Sequence, residues 1–187
     1  MKIISFYSDE KVLIRKAIAG DNLAQKQLFE QHAPKMLSVC RHYISDLHFA
    51  EDIMIRGFVK VFSKLDTFRH EGSFEGWVRR IIIREAISSL RQKQFVVFDE
   101  EATSFEAVSP SHQDAELQAE YIQGLIDELP EGYKMVFVLH VVEGYRHNEI
   151  ATLLNISENT SRSQLYKARN LLQEQLKNYK NQGYGTH

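Results

Sequence analysis

A lone cysteine, Cys40, leaves this chain without an internal disulfide, and no second cysteine begins a zinc-finger spacing. No apolar run approaches the roughly 20 residues that a membrane-spanning helix needs. Met1 to Glu10 has no long apolar segment ahead of a small-residue cleavage site, so the expectation is a cytoplasmic protein with no membrane insertion. Sustained apolar–polar alternation is missing, which points away from sheets, and no internal repeat stands out. Charge of either sign is barely in excess: 23 Lys and Arg against 25 Asp and Glu leave a net charge of -2. What remains is a chain of 187 residues, 43% hydrophobic and 11% aromatic, long enough for one domain or two small ones with real cores.

The near-zero net charge hides an uneven distribution. Residues 1–93 carry sixteen Lys and Arg against eleven Asp and Glu. Residues 94–120 carry no basic side chain and seven acidic ones, Asp99, Glu100, Glu101, Glu106, Asp114, Glu116 and Glu120. Residues 121–187 balance at seven each, but Arg162, Lys167 and Arg169 gather on one stretch. A phosphate backbone senses local rather than net charge, so a nucleic-acid partner stays open. The acidic segment contains Thr103-Ser and Ser109-Pro-Ser and has weak periodicity. It reads as a linker over 94–114, either a solvated tether or a negative strand that occupies a nucleic-acid channel.

Both flanks of that linker show helical spacing. Gly20-Asp21 suits a helix start, with Pro34 expected to kink or restart the chain before Met36 to Ile44. Asp46 suits the cap of a helix through Ala50, Ile53, Val59 and Phe62, and Ser73 the cap of a long helix bearing Trp77, Ile81 and Leu90. Beyond the linker come Ala115 to Glu128, a break at Pro130, Tyr133 to Val142, and two short helices meeting at Asn155, Ile156 and Ser157. The expected fold class is all-α: two small helical domains, residues 1–93 and 115–187, the second ending in a helix-turn-helix.

In that helix-turn-helix, Ile150, Leu153, Leu154 and Ile156 supply apolar contacts and Ser157 is placed to cap the second helix. Ser161, Leu165, Ala168 and Leu172 recur on one face and turn inward. Asn159, Arg162, Ser163, Tyr166 and Lys167 are left outside, with Arg169 adding charge. Arg suits a bidentate contact to guanine, and Ser, Tyr and Lys suit phosphates. The competing reading is an ordinary amphipathic surface helix.

A second basic stretch runs from Trp77 to Lys93. Arg80, Arg84 and Arg91 fall near one stripe, Arg79 and Lys93 lie beside it, and Phe68, Arg69, His70 and Phe74 stand just upstream. Aromatic rings beside cations suit unstacked bases, which stack on any ring whatever their sequence. The plainer reading puts Phe74 and Trp77 in the core. His140, His147, Glu143 and Glu149 lack zinc-protease spacing, and Cys40 with His42 is no better as a metal pair. Surface histidines and a buried thiol are the expectation there.

Ala50-Glu-Asp-Ile-Met-Ile-Arg-Gly-Phe-Val-Lys-Val-Phe62 forms the first of three ordered blocks. Asp66-Thr-Phe-Arg followed by Phe74-Glu-Gly-Trp-Val-Arg-Arg-Ile81 is the second. Leu129-Pro-Glu-Gly-Tyr-Lys-Met-Val-Phe137 with the helix-turn-helix is the third. In this order they resemble the extracytoplasmic-function (ECF) sigma factors of bacterial RNA polymerase, over nearly the whole chain from about Asp21 to Lys177. The resemblance implies that Glu51, Asp52, Ile55, Arg56, Val59 and Phe62 dock on the β′ clamp helices of core polymerase. It implies that Phe68, Arg69, Phe74, Trp77, Arg79, Arg80, Arg84 and Arg91 recognise and melt the minus-ten element. Asn159, Arg162, Ser163, Tyr166, Lys167 and Arg169 would read the minus-thirty-five element, with this domain also meeting the β flap. An anti-sigma factor is a further partner the resemblance admits. No cofactor and no catalytic residue are implied, since the polymerase performs the chemistry.

Five positions depart from the family pattern. Ile55-Arg56 stands where Gln-Glu is usual, trading a polar, acidic surface for an apolar and basic one. Arg84 replaces a common Asn, Asn155 a usual Gly, and Ser161 a usual Val that would fill the core. The rival class is a helix-turn-helix regulator that binds duplex DNA without joining polymerase, with Ile55 and Arg56 in its favour.

Overall fold

The computed structural model describes residues 3–96 and 115–183. The chain divides into two units, Met1–Val97 and Phe98–His187, and every regular element among the described residues is helical. From residue 97 onward the acidic segment expected over 94–114 lies outside the described residues, as does the Lys93 side chain.

The first unit holds α1 (Ile3–Ile18), α2 (Asn22–Tyr43), α3 (Leu47–Ser63), a short 3-10 turn (Leu65–Thr67) and α4 (Phe74–Val96). Gly20 closes α1 at φ 88°, a left-handed conformation that costs glycine nothing. Asp21 then caps α2, its carboxylate accepting from the Leu23 and Ala24 amides at 2.9 and 3.2 Å. Pro34 does not restart the chain: α2 is one helix through it. Its ring lies on the exposed side, where water can solvate the carbonyl that loses its amide partner. The buried residues His32, Met36, Val39 and Cys40 on either side of it keep the helix packed.

Asp46 caps α3 through the Phe49 amide at 2.6 Å, and Ser73 heads α4 by accepting from the Gly76 amide at 3.1 Å. The core between these helices is built from Leu28, Met36, Ile53, Val61, Val78, Ile82 and Ile83, all fully buried or nearly so. At Gly57 the contact of α3 with α4 is tightest, because a Cβ there would lie 2.3 Å from the Ile82 Cδ1. Ion pairs join the same elements, Lys60 with Glu85 between α3 and α4, and Lys35 with Glu75 at 2.8 Å between α2 and α4. Burial pushes the Cys40 thiol up to about 12, so it stays a protonated, apolar filler.

The second unit holds α5 (Ala115–Asp127), α6 (Glu131–Phe137), α7 (His147–Leu154) and α8 (Glu158–Gly183). The helix expected over Tyr133 to Val142 widens after Phe137 into a π turn, Val138–Val142, where the Glu143 amide reaches back to the Val138 carbonyl at 3.0 Å. The wider turn keeps Val138 and Leu139 buried, and Gly144 at φ 74° ends it. Asn155 takes the left-handed conformation at φ 54°, ψ 49°, which asparagine tolerates better than most residues, in the place of the usual glycine between the two helices. Ser157 caps α8 through the Thr160 amide at 3.0 Å. Leu129, Met135, Val136, Ile150, Leu165 and Ala168 close the core. Lys134 is buried with them, which the sequence reading did not foresee, and it is neutralised by Asp127 on α5.

Candidate nucleic-acid and polymerase interfaces

On α8 the inward stripe is Ser161, Leu165 and Ala168, with Leu172 half-buried. Turning a helix so that these residues face α6 and α7 leaves Asn159, Arg162, Ser163 and Tyr166 together on the opposite face, flanked by Lys167 and Arg169. All six are exposed, Tyr166 by 68%. They are also preorganised to different degrees. Arg162 lies 3.1 Å from Glu158 one turn earlier, which steadies the guanidinium at the start of the helix. Lys167 sits with its Nζ 5.8 Å from the centre of the Tyr133 ring, a cation–π contact that leans it toward α6. The Ser163 hydroxyl donates to the Thr160 carbonyl at 3.0 Å, so it must rotate to donate to a phosphate.

At the head of α4 the chain forms an open cleft of about 300 Å³. Phe68, Arg69, Trp77 and Arg80 line it, as do Thr67, Glu71, Ser73 and Gly76, none of which the sequence assigned to a binding surface. The signal for those four was the loop itself. A Ser cap with two nearby glycines marks a place where backbone can approach a ligand closely. Phe74 is not at the cleft surface: it is 2% exposed, edge-on to Phe68 at 5.3 Å and stacked on Trp77 at 5.9 Å. Its expected part as a stacking surface is corrected to a ring that backs the cleft wall, because α4 turns this side chain toward α2. There the His32 ring meets it edge-on at 5.3 Å. Phe68 is nearly as buried, and Trp77 is the half-exposed aromatic of the group. Arg84 is exposed farther along α4, whereas Arg79 and Arg91 are half-buried, and none of the three lines the cleft.

On α3 the buried residues Ala50, Ile53, Met54, Gly57, Phe58 and Val61 face the core. The opposite stripe carries Ile55 at 51% exposure and Val59 at 65%, with Glu51 and Phe62 half-buried beside them. Asp52 and Arg56 border the stripe as an ion pair at 2.8 Å. The unusual Arg56 is therefore locally neutralised, and the net change from the family pattern on this face is a gain of apolar surface.

The histidines noted for metal chemistry do something else. His140 and His147 are half-buried and stack with ring centres 4.5 Å apart and planes within 15°. His147 Nδ1 lies 2.8 Å from the Ser161 hydroxyl. Ser161 is 0% exposed, so the polar residue expected to thin the core has a partner across the turn. A hydroxyl on an inward stripe requires one.

The second unit thus carries an exposed cationic helix face, and the first an open cleft lined by aromatic rings and arginines together with an exposed apolar stripe on α3. The family comparisons agree in both units: residues 28–96 match sigma-70 region 2, and residues 119–172 match sigma-70 region 4. The RNA polymerase sigma factor SigV of Bacillus subtilis is 32% identical over 135 residues, covering 72% of this chain and 80% of that protein. The ECF sigma factor SigW of the same organism is 27% identical over 180 residues, covering 89% and 96%. Among solved structures, a sigma factor RpoE from Bartonella quintana, determined with the anti-sigma factor NepR, shares the fold with a TM-score of 0.56. It is 24% identical and the match covers 81% of this chain and 96% of that one. This chain belongs to the ECF sigma factors, which bind core RNA polymerase and promoter DNA. It directs promoter-specific transcription initiation. A regulator working through the helix-turn-helix alone would leave the match over residues 28–96 without an account. Among the described residues no helix is long and apolar enough to cross a membrane.

Proposed function

We propose that the two units divide promoter recognition between them. The cationic face of α8, with Asn159, Arg162, Ser163, Tyr166, Lys167 and Arg169, reads the minus-thirty-five element as duplex. The cleft at the head of α4 holds a base extruded from the minus-ten element, with Trp77 as the stacking ring and Arg69 and Arg80 on the phosphates. Arg84 extends the cationic track along α4, while Arg79 and Arg91 act on strand charge from the flank. The stripe of Ile55, Val59 and Phe62, bordered by Glu51, Asp52 and Arg56, docks on the β′ clamp helices, and the second unit meets the β flap. Of the segment expected as a linker over 94–114, residues 94–96 instead complete α4, and residues 97–114 are proposed as the tether between the units. The protein works in the cytoplasm, carries no catalytic residue of its own, and needs no cofactor.

The observation that carries this reading is the exposure of complementary chemistry on separate units. Cations lie opposite a buried stripe on α8, and an open cleft of about 300 Å³ combines a half-exposed indole with two arginines at the head of α4. That volume is at the low end of small-ligand sites, about the scale at which one planar base is gripped. An anti-sigma factor is a further proposed partner, since it would need to cover one of these faces. Reconstituted transcription tests the reading. With core polymerase and a candidate promoter, the folded chain gives strand opening over the minus-ten element and a defined start site. Promoter binding without core enzyme, together with no opening in its presence, would refute it.

A further inference from the structure

The contact of His147 with Ser161 joins the first residue of α7 to the inward stripe of α8, and it stands where a helix-turn-helix ordinarily has carbon against carbon. A buried serine hydroxyl is costly unless it is hydrogen-bonded, and here its partner is an imidazole at 2.8 Å. That imidazole stacks on His140, from the π turn, at 4.5 Å. His140 Nδ1 must itself carry a proton where it meets the Tyr145 carbonyl at 2.9 Å, because a carbonyl only accepts. Three elements, the π turn, α7 and α8, therefore meet at two stacked imidazoles and one buried hydroxyl.

We propose that His147 and Ser161 form a pH-sensitive latch that positions α8: the neutral imidazole holds the two helices of the turn together, and its protonation loosens them. The charges around His147 support the direction. His140 from the π turn and Arg162 and Arg169 from α8 all oppose a positive charge on it, and only Glu158 of α8 favours one. On α7 itself, the Glu149 carboxylate is engaged by the Arg146 backbone amide at 2.8 Å. Burial, the largest cause, together with these cations, lowers the imidazole below its ordinary value of 6.5. A histidine depressed in the folded state contributes stability that is fully present above its ordinary value. That stability is lost as pH falls through the lowered one. Acidification is thus the loosening direction. The inference stands on the second unit's own packing and goes beyond the division of promoter recognition.

Amide hydrogen exchange of the full-length protein, followed from about pH 7.5 to about pH 5.5, reads the latch directly in the range where imidazoles titrate. After correction for intrinsic exchange, protection of α7 and of the first turns of α8 falls severalfold on acidification, because the charged ring is disfavoured by burial and by His140, Arg162 and Arg169. His147→Gln keeps an amide able to bond Ser161 but cannot titrate, and it flattens that profile. Ser161→Val strands the imidazole and lowers protection already at the higher pH. The paired change His147→Leu with Ser161→Val restores protection and makes it independent of pH. Parallel profiles for wild type and His147→Gln would overturn the latch. So would a nuclear magnetic resonance titration of the wild-type His147 ring with its midpoint at or above the ordinary imidazole value, a measurement that needs no variant to fold.

Discussion

At the scale of the residue, Lys167 offers a charge reversal outside the buried core of the second unit. It is exposed on α8, it borders the face opposite the buried stripe, and its folded-state partner is a ring rather than a carboxylate. Reversing it to glutamate leaves the α8 core side chains untouched while placing a negative charge toward phosphate. Lys167→Glu is expected to weaken holoenzyme binding to a minus-thirty-five duplex and to reduce the slope of log affinity against log salt by about 1. Co-purification with core polymerase should stay at the wild-type level. Equal promoter binding by wild type and variant at every salt concentration would remove Lys167 from the interface. Arg162 differs in kind, since Glu158 holds it before DNA arrives. Its loss should therefore relax base preference at one position rather than weaken all sequences alike.

At the scale of the element, α3 carries two opposite demands on its two faces. Its inner face packs so closely that Gly57 meets Ile82, and its outer face leaves Ile55 and Val59 exposed, where a partner is proposed to dock. Gly57→Val is expected to destabilise the first unit by about 1–3 kcal/mol through overpacking against Ile82, measured as a lower denaturant midpoint. Unchanged or increased stability would mean that Ile82 swings away freely. Arg56→Glu tests the outer face. It replaces the exposed pair with Asp52 by two like charges one turn apart, at a cost of a few tenths of a kcal/mol in helix stability. The fold should survive. If this helix docks on core polymerase through its altered chemistry, the substitution lowers core affinity despite restoring the family's usual charge. Core affinity at or above wild type would show that Arg56 takes no part.

At the scale of the whole molecule, the two recognition surfaces proposed on separate units imply separable defects. Trp77→Ala removes the half-exposed ring of the cleft, and its expected defect lies in opening the minus-ten element. A template already mismatched across that element should rescue transcription by Trp77→Ala but not by Lys167→Glu, whose loss is in duplex binding. Rescue of both, or of neither, would argue against the division of labour.

The helices themselves were legible along the chain because their signals are local. Asp21, Asp46, Ser73 and Ser157 are caps whose side chains accept from amides two or three residues on, and each appears where spacing placed it. The exposed face of α8 was legible for a related reason: once Leu165 and Ala168 turn inward, helical geometry leaves Arg162, Ser163 and Tyr166 outside. At Pro34 the restart that a local penalty suggests does not occur, because the packing of α2 on its neighbours holds one helix through it. Phe74 stayed open between a stacking surface and the core because composition does not say which way an aromatic turns.

By itself, the sequence determined the all-helical class, the order of the elements after α1, which it did not mark, and the cationic face of α8, all consequences of backbone geometry acting over a few residues. Tertiary structure alone decided the rest. It placed Phe74 behind the cleft and Trp77 at its surface, buried Lys134 against Asp127, and gave Ser161 a partner in His147 fourteen residues earlier. Those outcomes depend on which side chains from different helices compete for the same buried space and the same hydrogen-bond partners. That competition is settled only when the helices pack.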